Sequence, residues 1–436
     1  MGTALYTGVT GLQAHQRRLD VIASNIANVN TVGYRSSRVI FQDLFSETLR
    51  AGSPPVGRFG GSNPQQVGLG VRVSSIDVNH TQGSFVTTGV ASDLAIQGAG
   101  FFVLSDGVRY TYTRDGSFSL NANGMLIEGG TGMRVQGFMA GEDGTISNDA
   151  IPTDIRIPLG GDSIVNATTR AKMVGNLNAA AEPGDTVVRT VSVYDSLGIE
   201  RLITLTFTRE AAPTNTWTWE ATYNRGTADT PDLVNVAVGA VPLTFGPNGT
   251  LAEGDPAAIG QISISAADLG TPASQPQDPF EFVFDFTSVT QLSEGVDPVT
   301  QVPFPSDVTL LNQDGYPKGN LESFNIGTNG EIIGMYSNGL NRVIGQISVA
   351  TFANVGGLIR IGANMFMGTP ASGAAQIGAP ETGGRGSVTG GVLENSNVDL
   401  GTEFSNLIIT QRGFQANART ITTADTILQE TVNLVR

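Results

Sequence analysis

SNIANVNTVGYRSSR, Ser24 to Arg38, is where this chain stops reading as a helix. Upstream of it, alternating steps of three and four residues pick out Leu5, Gly8, Leu12, His15, Leu19, Ile22, Ile26 and Val29, six of them apolar. That period predicts an amphipathic helix over residues 1–30. Asn25, Asn28 and Asn30 crowd its end, and Gly33 follows. A helix end leaves its last carbonyls unpaired; Asn tolerates the left-handed conformation that closes the final turn, and Gly adopts it at no steric cost. One such residue is enough for a stop. The surplus asparagines therefore point to further polar bonds, either to the loop that follows or to a neighbouring molecule.

The far end of the chain carries the same period. There it selects Leu400, Phe404, Leu407, Gln411, Phe414, Ala418, Ile421, Asp425, Leu428, Val432 and Val435, broken only by Gln411 and Asp425. A seven-residue repeat lays a narrow apolar seam along a helix, suited to pairing with another helix at a shallow angle. Isolated helices gain too little per residue to offset nucleation, so each needs a partner. The two ends are expected to pair as one coiled-coil domain, residues 1–30 with 395–436. Its seam would be Leu5, Leu12, Leu19, Ile22 and Ile26 against Leu400, Phe404, Leu407, Phe414, Ile421, Leu428 and Val432.

Between the ends, strand-like runs alternate with turn signals. VRYTYTRDGSFSLNANGMLI, Val108 to Ile127, contains Asp115-Gly116 and Asn123-Gly124, both strong hairpin formers. Ser117-Phe118, Leu120, Asn123-Gly124 and Leu126-Ile127 recur as Ser323-Phe324, Ile326, Asn329-Gly330 and Ile332-Ile333 at a constant offset of 206 residues. This spacing suggests a discontinuous antiparallel β domain, residues 71–141 and 312–394, whose halves flank an insertion at 142–311. The insertion has strands of its own in TVVRTVSVYD, RLITLTFTRE, TWTWEATY and PFEFVFDF, rich in β-branched and aromatic residues. Residues 31–70, with Pro54, Pro55, Gly57, Gly60, Gly61 and Pro64, read as a loop-rich connector. Gly383, Gly384, Gly386, Gly390 and Gly391 read as a flexible end before the last helix. The fold class is mainly β with paired terminal α-helices.

Composition excludes several chemistries. The 436 residues contain no cysteine, so disulfides, thiolate metal sites and cysteine nucleophiles are absent. The net charge of −15 (24 basic minus 39 acidic) argues against a nucleic-acid partner. From Gly226 to Pro317 there is no Lys or Arg but there are Asp229, Asp232, Glu253, Asp255, Asp268, Asp278, Glu281, Asp285, Glu294, Asp297, Asp307 and Asp314. They lack the close spacing of a calcium loop and read as a solvated acidic surface. His15 and His80 are the only histidines and have no metal-ligand company. No Gly-x-Ser-x-Gly elbow, phosphate loop or dinucleotide loop is present. The expectation is a protein with no enzymatic activity, no cofactor, no metal and no membrane insertion. The first residues lack the apolar core of a cleavable signal peptide.

Ala23 to Tyr34 resembles the N-terminal signature of the bacterial flagellar rod and hook proteins, at Asn25, Asn28, Asn30, Thr31, Gly33 and Tyr34. ENSNVDLGTEFSNLIITQRGFQANARTITTADTILQETVNL, Glu394 to Leu434, is similar to their C-terminal helix. The length, TYTRDGSF and the inserted middle resemble the hook branch of that family. The resemblance implies a structural subunit of a helical homopolymer, the flexible universal joint that passes motor torque from rod to filament. Its implied partners are other copies of itself, the distal rod protein, the hook cap protein, the hook–filament junction protein and the flagellar type III export apparatus. The implied location is extracellular, in the hook and basal body, reached without a cleaved signal. A straight distal rod subunit is the alternative within the family; a secreted β-rich adhesin or hydrolase is the alternative outside it.

Overall fold

The computed structural model describes the chain except residues 1, 55–59, 142–143, 148–150, 161–162, 212–214, 226–231, 238–240, 253–258, 266–267, 269–279, 294–304 and 435–436. It is mostly β, with one long helix at each end: α1 over Gly2–Ala27 and α2 over Leu400–Leu434. Two compact units are present. The first comprises Met1–Pro158, Ser323–Gly334 and Asn341–Arg436; the second comprises Leu159–Glu322 and Met335–Leu340. The inserted unit thus differs from the expected 142–311: it begins at Leu159, in a turn, and its later limits at Glu322 and Met335 fall inside the strands Tyr316–Ile326 and Glu331–Tyr336. Tyr316–Ile326 carries no composition change or turn signal at Glu322, so that limit had no mark in the sequence.

In the first unit, antiparallel strands run in the order Glu331–Tyr336, Asn341–Ile347, Arg134–Met139, Phe101–Ser105, Tyr110–Thr113, Met365–Met367 and Ile359–Gly362. Phe101, Tyr112, Phe352 and Phe366 pack edge to face within one buried cluster beside this sheet. The expected connector, residues 31–70, carries three strands where loop was expected. Ser37–Asp43 pairs with Val71–Val78, and Ser46–Arg50 pairs with Gln65–Gly68, forming a two-stranded ribbon. Val39 and Phe41 alternate with more exposed neighbours along it, a period-two pattern that the surrounding Pro and Gly residues obscured. Pro55 and Gly57 lie outside the described residues. The Gly-rich end leads into strand: Ser387–Gly390 pairs with Leu94–Gln97, and Val392–Glu394 pairs with Phe85–Thr87.

The second unit packs two sheets over one core. Thr186–Tyr194, Glu200–Arg209, Thr216–Asn224 and Leu233–Asn235 form an antiparallel sheet. Gln261–Ile264, Phe280–Thr290, Arg170–Asn176 and Thr309–Gln313 form the other, in which Arg170–Asn176 and Phe280–Thr290 run parallel. Phe280, Phe282, Phe284 and Phe286 alternate inward, joining Trp217 and Trp219 in the core. Of the acidic block, Asp229, Glu253, Asp255, Asp278, Glu294 and Asp297 lie outside the described residues. Others bind backbone rather than simply facing water: Asp307 accepts the Asn176 N–H at 2.6 Å, and Asp314 accepts those of Thr169 and Arg170 at 2.8 and 3.0 Å. Burial pushes the Asp314 carboxyl up, but these bonds outweigh it and leave the group below its ordinary value.

One turn recurs in six places among the described residues. In Asn121–Met125, Gly141–Thr145, Asp195–Ile199, Gly246–Thr250, Gly327–Glu331 and Tyr336–Leu340, the first N–H bonds the fifth carbonyl and the fourth N–H bonds the first carbonyl. The fourth residue is always Gly, at φ between +73° and +80°. This is a tight hairpin turn closed by one left-handed residue. Two of the six are the copies at offset 206, so shared turn chemistry accounts for their likeness. Asp115-Gly116 does not close a hairpin: Tyr110–Thr113 pairs with Phe101–Ser105 and Met365–Met367, while Phe118–Leu120 pairs with Leu126–Glu128. A Cβ on Gly124 would stand 2.6 Å from the Ile157 carbonyl oxygen, whereas one on Gly144 would meet nothing closer than 3.9 Å. Gly144→Ala is expected to cost about 1–2 kcal/mol for the left-handed backbone alone, and Gly124→Ala more. Chemical denaturation of both variants checks this; equal losses would contradict it.

Candidate assembly site

α1 and α2 run antiparallel. Gly8 lies against Ile421, Gly11 against Asn417 and His15 against Gly413, while Arg18 bonds Asn406 and Asn25 bonds Glu403. The glycines set the spacing: a Cβ on Gly8, Gly11 or Gly413 would come within 2.9, 2.8 or 2.7 Å of the facing side chain. Apart from Ile22, the fully buried residues of the two helices are small or polar, among them Ala14, Asn25, Thr410 and Ala424. Thr410 buries cheaply because its hydroxyl donates to the Asn406 carbonyl at 2.6 Å.

This geometry corrects the expected seam. Ile22 is buried, and Leu5, Leu12, Leu19, Ile26, Leu407, Phe414, Ile421 and Leu428 are half-buried. Leu400, Phe404 and Val432 are exposed, at 40%, 51% and 66%. The inward row of α2 is Glu403, Leu407, Thr410, Phe414, Asn417, Ile421, Ala424 and Leu428. It shares every second position with the expected row and replaces the rest by the preceding residue. Gly8, Gly11 and Gly413 offer bare backbone to Ile421, Asn417 and His15, and in that phase Leu400 and Phe404 face outward.

None of the three asparagines at the end of α1 has a positive φ, and Asn25 and Asn28 act through their side chains. Asn25 is buried and binds both backbone groups of Ser37: Nδ2 donates to its carbonyl at 2.8 Å and Oδ1 accepts its N–H at 2.9 Å. The same Nδ2 donates to Glu403 Oε1 of α2 at 3.0 Å, and the Tyr34 hydroxyl donates to Oδ1 at 3.3 Å. One side chain thus ties α1, the ribbon and α2. Asn28 donates to the Ser24 carbonyl at 2.8 Å and accepts the Thr31 hydroxyl at 3.2 Å, sealing the helix end. Asn30 is exposed. Gly33, at φ +69°, sits where a Cβ would be 2.6 Å from the Asp115 nitrogen, and its N–H donates to the Glu394 carbonyl at 2.8 Å.

Five residues at this root escaped the sequence reading. Glu394, fully buried, meets Arg35 at 2.8 Å and Arg114 at 3.3 Å and accepts the Gly83 N–H at 2.8 Å. Arg35 also donates to the Thr81 carbonyl at 2.8 Å, and Arg114 to the carbonyls of Ile96 and Gly98. Asn397, just before α2, accepts the Ser36 N–H at 2.7 Å and donates to the carbonyls of Asn79 and Thr81. Asp399 then caps α2, accepting the Gly401 N–H at 2.9 Å and the Thr402 hydroxyl at 2.8 Å. The only local signal was a charged residue closing the apolar pair Val392-Leu393; its partners lie hundreds of residues away.

The models of known families match consecutive parts of the chain: the flagella basal body rod protein over residues 5–35, the flagellar hook protein FlgE/F/G D1 domain over 95–169, the flagellar basal body protein FlaE D2 domain over 165–316, and the flagellar basal body rod FlgEFG protein C-terminal over 389–434. Paired terminal helices rooted in a β unit with a second β unit inserted are thus those of a flagellar rod or hook protein. The chain is 39% identical to the flagellar hook protein FlgE of Borreliella burgdorferi and 38% identical to that of Treponema pallidum, with 100% of each chain covered. It is 35% identical to that of Salmonella typhimurium, with 98% of each covered. The chain belongs to the flagellar hook protein family.

His80 stands in the same root, its ring 6.0 Å from Phe101 and 5.7 Å from Phe366. Burial, then the positive charges of Arg35, Arg360 and Arg114, lower its pKa from 6.5 to about 4. The folded state thus favours neutral imidazole. Its contribution is complete above pH 6.5 and is lost as pH falls through about 4. Calorimetry from pH 7 to 4 is expected to show the first unit losing more stability in the native chain than in His80→Gln. Parallel profiles would contradict this.

Proposed function

We infer that the chain is a structural subunit that assembles into the flagellar hook, the joint between rod and filament. The observation that carries this reading is the outward face of the helix pair. Tyr6 and Val9 on α1, with Leu400, Phe404, Ile408, Ile409, Ile427 and Val432 on α2, are large apolar residues left exposed on a pair already closed on its other side. A helix pair presenting so much apolar surface fits burial against like pairs. Full-length likeness to hook proteins, with the inserted second unit matched by a D2 model, favours hook over straight rod.

In this reading the seam residues and the family signature have distinct tasks. Gly8, Gly11 and Gly413 let the helices approach closely enough to transmit axial load, while Asn25, Asn28, Thr31, Gly33 and Tyr34 fix the direction in which they leave the β unit. Copies of the same chain are the main partner. The distal rod protein, the hook cap protein and the hook–filament junction protein meet the ends of the polymer, and the flagellar type III export apparatus delivers subunits to the outside of the cell. The role is mechanical, with no reaction to catalyse and no cofactor to bind.

Truncation after Asp399 removes α2. Electron microscopy is expected to find no tubes. Fluorescence of Trp217 and Trp219, the chain's two tryptophans, both in the core of the second unit, should stay native. Tubes of ordinary appearance from the truncated chain would overturn the reading.

A further inference from the structure

The outer half of the ribbon is a structure without a support. Every residue of Ser46–Arg50 and Gln65–Gly68 is exposed, and two strands alone are marginally stable in water. The inner half is different, because there Phe41 packs edge-on against His15 of α1. The unsupported half is also apolar: Phe45 is 87% exposed, with Leu49 and Val67 exposed beside it. Alternation puts Phe45 and Glu47 on one face, and Glu47 sits directly opposite Val67. A carboxylate is therefore framed by apolar side chains, and it has no ion-pair partner among the described residues.

α2 carries the converse pattern. Leu400, Phe404, Ile408 and Arg412 are four residues apart, so they form one stripe, and all four face outward. Arg412 likewise has no ion-pair partner among the described residues. Successive members of the stripe are spaced by about 6 Å along the helix axis. Alternate residues of a strand are spaced by about 6.6 Å, so the two rows can run in step.

We propose that the ribbon tip, through Phe45, Val67 and Glu47, docks on the outward stripe of α2, through Phe404, Ile408 and Arg412, of another copy of this chain. The contact rests on the hook reading and specifies one of its interfaces. Because the two patches differ, it is head-to-tail: each added copy spends one patch and leaves the other free, which suits open-ended growth rather than a closed dimer.

The chain has no cysteine, so introduced thiols report without background. Phe45→Cys chains and differently tagged Ile408→Cys chains would be mixed, assembled and oxidised. The expected result is a mixed disulfide dimer that neither chain gives alone. Glu47→Arg is expected to raise the concentration needed for assembly about tenfold, and adding Arg412→Glu to the same chain to restore it. Tubes that form without the mixed dimer, or Phe45→Cys chains that pair chiefly with themselves, would overturn this contact and leave the hook reading standing. Failure of the unaltered chain to form tubes would overturn both.

Discussion

At the root of both terminal helices a single buried carboxylate, Glu394, meets the guanidiniums of Arg35 and Arg114. Arg35 follows α1, Arg114 belongs to the central β unit, and Glu394 closes the strand that leads to α2. Three distant pieces of chain are therefore fixed by groups that water cannot reach. Removing one member would strand charge in the interior, a loss of about 3–5 kcal/mol. Arg360, over the Tyr34 ring at 5.0 Å and bonded to the Arg35 carbonyl, closes the cluster from another side. With three arginines and one glutamate close by, a neutral His80 is the state that fits.

The rest of the helix pair follows from that anchorage. Once α1 and α2 leave the root side by side, Asn25 and Asn397 complete the ties, and the small residues further along set a short separation. The pair does not need a wide apolar seam, and the large apolar residues are freed for the outside. A surface usually costly in a monomer is thus what a polymer subunit presents.

Both helices and the β character of the middle were legible because they rest on local periodicity: steps of three and four for Leu5 to Val29, and alternation for Phe280 to Phe286. The strands of the inserted unit were legible for the same reason. The phase of the α2 seam was not. Two rows one residue apart share Leu407, Phe414, Ile421 and Leu428, and hydropathy prefers Phe404 where close packing prefers Glu403. Gly8, Gly11 and Gly413 held the clue, since a bare stretch of one helix takes in the side chain opposite it, here Ile421, Asn417 and His15. The ribbon was hidden under Pro and Gly content. The ion cluster was invisible because its members, at 35, 114 and 394, become neighbours only through the topology.

The central claim is that this buried cluster, rather than helix pairing alone, holds the chain ends together. Hydrogen exchange on Glu394→Ala tests it most directly. The account predicts lost protection at the end of α1, residues 22–27, and at the start of α2, residues 400–406, with Glu200–Arg209 of the second unit unchanged. Full protection of both helix ends, with exchange raised only in Phe85–Thr87 and Val392–Glu394, would contradict it.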